Sequence, residues 1–291
     1  MADETASTAW FVGKGCLITG ANTGIGRATA LEMAKRGAHV FVAARSEEKG
    51  REATEAIKRE SGKSDVEFLK LDLSSFDSVR EAARKVLDSG IALPLLINNA
   101  GVAGQRGITK DGFELQFGTN HLGHFLLTEL LLDRMKELPH ARIVNVSSKA
   151  HYDARGIDFG VVRESTPTFT GLKEYSVSKL SNVLFTRELA KRLEGTGVHA
   201  YALHPGVVAS DAWRRIPWPF RGIVTRNMIS NEEGALTSLH CATSEEAGKE
   251  TGLYYDRSKP KEPSPIALDD ALAKRLWTES EAWTRAATAR N

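Results

Sequence analysis

A regular alternation of short apolar runs with amphipathic segments is the feature that most constrains the fold of this 291-residue chain. Short apolar runs typical of strands lie at about 15–20, 39–44, 66–71, 93–98, 142–147, 198–204 and 253–255. Between them, apolar residues recur at helical spacing, at about 26–37, 47–61, 75–88, 111–119, 120–137, 173–194 and 231–243. Strands that alternate with helices form right-handed βαβ units, so we predict an α/β fold with a doubly wound parallel sheet.

The chain contains no internal repeat, low-complexity tract or linker. A single domain over residues 1–291 is therefore the simplest organisation, with the alternating core at about 13–255. Residues 266–291 are rich in alanine and charged side chains. We predict that they form an appended C-terminal helical extension.

Composition narrows the classes of protein to which the chain can belong. Hydrophobic residues make up 41%, charged residues 26%, and the formal net charge is only +2, which argues against a nucleic-acid partner. Two cysteines cannot build a disulfide framework, and a reducing compartment is the simpler expectation. The polar start of the chain does not resemble a signal peptide, and no apolar run approaches a membrane span of roughly 18 residues. We therefore expect a cytoplasmic protein.

The first predicted strand ends in "TGANTGIG", residues 19–26. Gly20, Gly24 and Gly26 stand at the turn from this strand into a helix. Missing side chains at such a turn let the backbone approach a pyrophosphate, and the helix N-terminus supplies donors. A plain glycine turn is the alternative, but the position between a strand and an amphipathic helix favours phosphate binding.

The stretch "YSVSK", residues 175–179, carries a tyrosine and a lysine four positions apart. On a helix this spacing places Tyr175 and Lys179 on one face, about a turn apart. By itself the pattern is more typical of a surface pair. It predicts a reactive tyrosine only if other site residues accompany it.

Several further motifs follow in a fixed order: "NNAG" at 98–101, Asn120, "NVSS" at 145–148 and then the YxxxK pair. Together with the TGxxxGxG turn they resemble the short-chain dehydrogenase/reductase family over about residues 13–255. The stretches "NHLGHFLLT" and "SKLSNVLFTRELAKRL" resemble its retinol-dehydrogenase-like branch. The resemblance implies a Rossmann-type sheet and an oxidoreductase that interconverts a carbonyl and an alcohol by hydride transfer.

The resemblance also implies the catalytic residues Asn120, Ser148, Tyr175 and Lys179. Tyr175 matches the general acid/base, and Ser148 matches the serine that binds the reacting oxygen. Lys179 matches the lysine that holds the nicotinamide ribose and lowers the tyrosine pKa. A cation at about 4 Å, at an effective dielectric near 20, supplies about 4 kcal/mol, enough to move a phenol pKa from about 10 to near 7. Asn120 matches the anchor of a water chain to the lysine; the alternative is a helix-interior amide bonded to nearby backbone.

Other positions match cofactor contacts of the family. The expected cofactor-binding residues are Gly20, Asn22, Thr23, Gly24, Ile25, Gly26, Arg45, Asp72, Leu73, Asn99, Ala100, Gly101, Tyr175, Lys179, Pro205, Gly206 and Val208. An NAD enzyme places a carboxylate at the end of the second strand, where this chain has Ala44 followed by Arg45. An arginine there can bind a 2′-phosphate, so we predict NADP, with Lys49 as a helper. The alternative is an exposed arginine at a helix start.

The expected substrate-contacting residues are Ser148, Tyr175, Trp213 and Trp218. The last two lie in "ASDAWRRIPWPFRG", residues 209–222, where the family places a mobile substrate loop. A lid over a bulky apolar aldehyde or ketone, a membrane-surface patch and a self-packed or subunit-contacting loop are all compatible with it. An insertion at about 150–172, as in retinol-dehydrogenase-like enzymes, is expected to shape the pocket.

Two further expectations concern metals and partners. His121 and His124 lie three residues apart, but no carboxylate or cysteine stands at ligand spacing, so no metal is expected. Relatives often pair through the helices that match about 120–137 and 173–194, which suggests a homodimer or homotetramer. A catalytically silent NADP-binding regulatory or scaffold protein is the alternative function, because fold does not fix activity.

Overall fold

The computed structural model describes residues 10–206 and 229–286, which form a Rossmann-type α/β structure around one eight-stranded sheet. The strand order is β3-β2-β1-β4-β5-β6-β7-β8. All neighbouring strands are parallel except β7 and β8, which pair antiparallel. The doubly wound parallel sheet predicted from the alternating pattern is confirmed. Val208, Trp213, Trp218 and the whole stretch 209–222 lie outside the described residues.

The first seven strands and the long helices follow the predicted order along the chain, whereas the short eighth strand was not predicted. The strands are β1 (Gly15–Thr19), β2 (His39–Ala44), β3 (Val66–Lys70), β4 (Leu95–Asn98), β5 (Ala141–Val146), β6 (Val198–His204), β7 (Tyr254–Asp256) and β8 (Lys259–Pro260). The helices are α1 (Gly24–Lys35), α2 (Glu47–Ser61), α3 (Phe76–Asp88), α4 (Gly123–Lys136), α5 (Leu172–Arg192), α6 (Asn231–Thr243) and α7 (Asp270–Ala286).

Helices cover both faces of the sheet, and a hydrophobic core fills the space on each side. On one face, α1 packs against α2 and α6 over a core that includes Ile18, Val42 and Tyr201. On the other face, α3 packs against α4, and α5 packs against α7. Strands β1, β2 and β4 are buried over nearly their whole length, as expected for central parallel strands covered on both sides.

One predicted helix is wrong in part. The sequence predicts a helix at about 111–119, but the described helix begins only at Leu115 and continues as a π-helical turn, Gly118–Leu122, into α4. Gly112 has φ +81°, a left-handed value that ends any helix, and Glu114 forms a β-bridge with Ile108. The spacing of apolar residues predicts a helix here, but the chain forms a turn at Gly112 instead.

The C-terminal extension forms α7, which packs along α4 and α5. Trp277 is 4% exposed, and its ring meets Phe125 edge-on with centroids 5.0 Å apart. On the same helix Ser280 bonds His121. The helix α7 thus occupies one face of the two helices α4 and α5, and the homodimer or homotetramer expected from these helices stays a prediction.

The insertion before α5 is tied to the body of the protein. The Thr166 hydroxyl donates to Glu114 at 2.5 Å and accepts from the Gly107 N–H at 3.0 Å. Gln116 donates to the Gly171 carbonyl at 2.6 Å. These hydrogen bonds attach the insertion between β5 and α5 to the segment that precedes α4.

No helix within residues 10–206 and 229–286 has the length and apolar character needed to cross a membrane.

Candidate active site

The candidate site lies at the carboxyl ends of the central strands. The register pairs Ile18 with Ile97 and Asn98 with Asn145, so the ends of β1, β4 and β5 stand level with one another. Segments that follow these strands therefore meet at one edge of the sheet, where ligands bind in open α/β folds.

The glycine turn after β1 is shaped by close backbone approaches. Gly20 and Gly24 have φ values of +67° and +57°, which favour glycine. A Cβ at Gly26 would lie 2.4 Å from the Gly20 carbonyl oxygen and 2.5 Å from the Asn99 amide nitrogen. Gly26 thus lets α1 pack directly against the strand ends, and the other two glycines make the turn itself.

The start of α1 is open to a ligand. Its N-cap, Thr23, makes no side-chain hydrogen bond to the first turn. By contrast, Ser46 and Ser230 cap α2 and α6 with their side chains. Asn22 and Ile25 flank Thr23 and are half-buried at the same turn. Uncapped backbone N–H groups with a positive dipole end fit the pyrophosphate of a dinucleotide.

Tyr175 and Lys179 face the sheet edge from α5. The Lys179 Nζ atom lies 5.6 Å from the centroid of the Tyr175 ring and donates a 2.9 Å hydrogen bond to the Val146 carbonyl at the end of β5. An ammonium group has three donors, so the others remain for a ligand. Lys179 is buried, and burial lowers its pKa to about 8.

The electrostatics of Tyr175 differ from the prediction. Burial raises the pKa of Tyr175, and a hydrogen bond with Ser148 opposes that rise. The predicted lowering of this pKa is wrong for the chain by itself, because desolvation outweighs every other influence. Lys179 is itself desolvated and is directed at the Val146 carbonyl, so it does not offset the burial of the phenol.

The two serines after β5 have different surroundings. Ser148 is half-buried at the start of a short 3-10 turn, and its hydroxyl accepts a 3.2 Å hydrogen bond from the Ala150 N–H. Ser147 is buried and donates to the Lys179 main-chain carbonyl at 2.7 Å. Ser148 is therefore the serine beside Tyr175, whereas Ser147 fastens α5 to the sheet.

Asn120 lies in the π-helical turn before α4 and is fully buried. Its Oδ1 atom accepts from the Val102 N–H at 2.8 Å, and its Nδ2 atom donates to the Val102 carbonyl at 2.9 Å. Nδ2 also donates to the Ser178 hydroxyl at 3.0 Å. The Asn120 side chain thus bonds the backbone, as expected for the alternative of a structural amide. The backbone that it bonds is not its own helix, however, but the segment after β4, which lies at the site.

The segment after β4 is held against β1. The Thr19 hydroxyl accepts from the N–H groups of Asn99 and Ala100, both at 2.9 Å, and the Asn99 side chain donates to the Thr19 carbonyl. A Cβ at Gly101 would lie 3.3 Å from Asn120 Oδ1 and 3.5 Å from Lys179 Nζ. The "NAG" backbone therefore runs directly beside the lysine.

The adenosine end of the expected cofactor site is formed by the ends of β2 and β3. Arg45 is exposed directly after β2, and its guanidinium group has no hydrogen bond or ion pair within the described residues. Lys49 is exposed one turn into α2. Asp72 accepts from the Ser74 hydroxyl at 2.6 Å, and Leu73 is buried in the core, where its carbonyl oxygen packs against Gly123.

The end of β6 continues into Pro205 and Gly206, which are half-buried. Gly206 has φ +95°, and a Cβ there would lie 2.3 Å from the Ile229 side chain. The backbone thus turns sharply beside the site, in agreement with a close approach to a ligand. The catalytic and binding roles of all these residues stay predictions.

The two histidines considered as metal ligands bond elsewhere. His121 contacts the Ser280 hydroxyl at 3.0 Å, whereas His124 contacts the Thr19 hydroxyl at 2.8 Å. Among the described residues, no three His, Cys, Asp or Glu side chains form a group that could hold a metal ion.

Sequence reasoning gave no role to two residues that support the site. Ser178 accepts from Asn120 and donates to the Tyr175 main-chain carbonyl at 2.7 Å. Thr19 joins the ends of β1 and β4. Thr19 and Ser178 both lie inside motifs identified from the sequence, so their positions pointed to the site. Their hydrogen-bond partners could not be predicted, because Asn99, Ala100 and Asn120 are distant in sequence.

Comparison with known proteins agrees with this geometry. Residues 14–217 match the sequence model of the short chain dehydrogenases. Human retinol dehydrogenase 13 is 44% identical over 283 residues, which cover 94% of this chain and 85% of that protein. Human retinol dehydrogenase 12 is 46% identical over 278 residues, with 92% and 85% covered.

A solved structure shares the fold over almost its full length. An uncharacterised protein from Mycobacterium paratuberculosis superposes with a TM-score of 0.76 and 34% identity, covering 97% of both chains.

Proposed function

The chain belongs to the short-chain dehydrogenase family, in its retinol-dehydrogenase-like branch, and we propose that it interconverts a bulky apolar aldehyde or ketone and its alcohol with NADP(H). The family consists of oxidoreductases that use a nicotinamide cofactor. Beyond this general activity, we propose two specific properties: a preference for NADP over NAD, and an apolar substrate.

The observation that carries the proposal is the meeting of Ser148, Tyr175 and Lys179 at the end of β5. Ser148 bonds the Tyr175 phenol, and the lysine ammonium lies one helical turn from the ring. A silent relative of the same fold has no need of a buried lysine and a half-buried phenol in contact range of one another. Buried ionisable groups of this kind cluster at functional sites.

Each of these side chains has a chemical task at the substrate oxygen. When bound, NADP(H) supplies or accepts the hydride. Burial raises the pKa of Tyr175, so its phenol is protonated at neutral pH and is ready to donate its proton to the oxygen of a carbonyl substrate. The Ser148 hydroxyl hydrogen-bonds that oxygen, and the free donors of Lys179 bind the cofactor ribose.

The preference for NADP(H) rests on Arg45. Ala44, which ends β2, offers no carboxylate to a ribose 2′-hydroxyl. Arg45 follows it, exposed and without an ion pair among the described residues. A guanidinium group matches a phosphate through two charge-assisted hydrogen bonds, which supports recognition of the 2′-phosphate.

The preference for an apolar substrate is supported by two exposed residues just before Tyr175. Phe169 is 88% exposed and Leu172 is 58% exposed. Leu172 is three residues from Tyr175 on α5, so the two side chains lie on neighbouring parts of one helix face. Exposed apolar area beside Tyr175, as at Leu172, favours an apolar ligand over a sugar.

The proposal is tested by following NADPH and NADH oxidation with decanal, benzaldehyde, a bulky ketone and a short polar aldehyde. We expect turnover with the apolar carbonyls and NADPH. Binding of NADPH with neither reduction of any carbonyl nor oxidation of any alcohol would instead support a silent NADP-binding protein.

A further inference from the structure

His124 lies between two parts of the active site that come from different strands. The side chain is 2% exposed. Its Nδ1 atom is 3.0 Å from the main-chain oxygen of Asn120, and its Nε2 atom is 2.8 Å from the hydroxyl oxygen of Thr19. One imidazole ring therefore joins the end of β1, which carries the glycine turn, to the π-helical turn that carries Asn120.

The hydrogen-bond pattern assigns the protons of this ring. The Thr19 hydroxyl already accepts from the Asn99 and Ala100 N–H groups, both at 2.9 Å. A hydroxyl has two acceptor positions and one donor, so only its proton is left for His124. Nε2 must accept that proton, and Nδ1–H must donate to the Asn120 carbonyl. The assignment requires a neutral ring, which agrees with burial that lowers the His124 pKa to about 4.

The network continues from Asn120 to the phenol-bearing helix. The Asn120 side chain donates to the Ser178 hydroxyl at 3.0 Å, which in turn donates to the Tyr175 main-chain carbonyl at 2.7 Å. A continuous series of hydrogen bonds thus runs from Thr19 through His124, Asn120 and Ser178 to the backbone of Tyr175. It ties the cofactor side of the site to the proton-donating side.

We propose that His124 is a positioning residue for hydride transfer: its ring holds the Asn120 carbonyl and, through Asn120 and Ser178, fixes Tyr175 relative to the glycine turn. This inference rests on the proposed function, because it concerns the placement of the proton donor relative to the bound cofactor. A displacement of about 1 Å between reacting groups can lower a rate by about 10²-fold.

His121 provides a matched comparison within the same helical segment. It is also fully buried and also bonds a hydroxyl, that of Ser280 on α7, and its ring lies within hydrogen-bonding reach of Asn182. Substitutions at His121 remove a buried imidazole of the same kind. They leave the hydrogen bonds of the His124 ring to the Asn120 carbonyl and to Thr19 in place.

The experiment compares His124→Asn and His124→Leu with His121→Asn and His121→Leu. Asparagine keeps a donor near the position of Nδ1 but fills less space, whereas leucine keeps the volume and loses both hydrogen bonds. Turnover, KM for NADPH and thermal stability are measured for each full-length variant with the best carbonyl substrate.

We expect kcat of His124→Leu to fall by about 10- to 100-fold. The kcat of His124→Asn should be closer to that of wild type than the kcat of His124→Leu, even if His124→Asn is the less stable protein. Both His121 variants should keep kcat within about threefold of wild type. The loss should appear in kcat rather than in KM for NADPH, because the interaction serves the geometry of reaction rather than cofactor affinity.

Two outcomes would overturn the inference. If leucine is tolerated better than asparagine, or if the His124 and His121 variants lose kcat equally, the ring only fills space. A wild-type protein that turns over no substrate would overturn the proposed function and this inference together, so the two failures are distinguishable.

Discussion

The Nζ atom of Lys179 lies 5.6 Å from the centroid of the Tyr175 ring, one turn away on α5. The same ammonium group donates to the Val146 carbonyl, so the lysine joins the phenol-bearing helix to the end of β5. Its charge is held in a buried position, 3% exposed. A cation kept there at a cost to stability is expected to serve binding or chemistry.

Replacement of Lys179 by methionine should stabilise the protein and inactivate it. Burial lowers the pKa of Lys179 from its usual 10.5 to about 8. Since the unfolded chain binds this proton more tightly, folding stability is lost as pH falls from 10.5 through about 8. We expect Lys179→Met to raise the free energy of unfolding at about pH 7 by about 1–3 kcal/mol, and by much less at about pH 10.

Urea unfolding at the two pH values measures this difference. Lys191→Met is the control, because that lysine is 50% exposed and pairs with Asp270. A Lys179 variant that is less stable than wild type at about pH 7 would contradict the account of a strained buried cation.

Arg45→Asp should reverse or abolish the preference for NADPH. It removes the proposed phosphate ligand and adds the carboxylate that favours an unphosphorylated ribose. The ratio of kcat/KM for NADPH to that for NADH should fall by more than about tenfold. Arg51→Asp, on the following helix α2, serves as a control, because that arginine already pairs with Glu47. An unchanged ratio in Arg45→Asp excludes this residue as the reader of the phosphate.

Catalytic efficiency should rise with chain length from propanal to decanal. Each buried methylene contributes roughly 0.8 kcal/mol if the pocket encloses it. Leu172→Ala, beside Tyr175, and Trp218→Ala, outside the described residues, should each flatten this rise. Leu87→Ala, at a 40% exposed position on α3, is the control. Equal efficiency along the wild-type series would argue against an apolar pocket.

Trp277→Ala should destabilise the protein strongly, because α7 is docked through this side chain. The ring packs against Phe125, and the Arg192 guanidinium lies 4.3 Å from its centroid. Loss of a buried tryptophan costs about 3–5 kcal/mol, whereas Leu87→Ala should stay near 0.5 kcal/mol. Chemical denaturation gives both values. A loss below about 1 kcal/mol would mean that α7 is not held on α4 and α5 in solution.

Much of this architecture was predictable because the signals are local. Strand and helix positions followed from apolar spacing, and the motifs placed Tyr175, Lys179 and Ser148 at one edge of the sheet. The helix predicted from about 111 begins only at Leu115, because Glu114 forms a bridge with Ile108 and donates from its N–H to the Val162 carbonyl, a contact distant in sequence.

The electrostatics and the polar network could not be predicted in the same way. The effect of Lys179 on the Tyr175 pKa depends on how deeply the two side chains are buried. The spacing of the two residues in the sequence does not reveal this burial. The role of His124 depends on partners 105 residues away at Thr19 and four residues away at Asn120. The docking of α7 likewise joins aromatic residues from three separate helices.

The most direct test of the central claim is the turnover of Tyr175→Phe, which keeps the ring and removes the proton. Tyr152→Phe is the control, because the Tyr152 hydroxyl bonds only the Glu262 carbonyl among the described residues. We expect Tyr175→Phe to bind NADPH as wild type does while its turnover falls by at least about 10²-fold, and Tyr152→Phe to remain active. Near-normal turnover in Tyr175→Phe would contradict the assignment of this phenol as the proton donor.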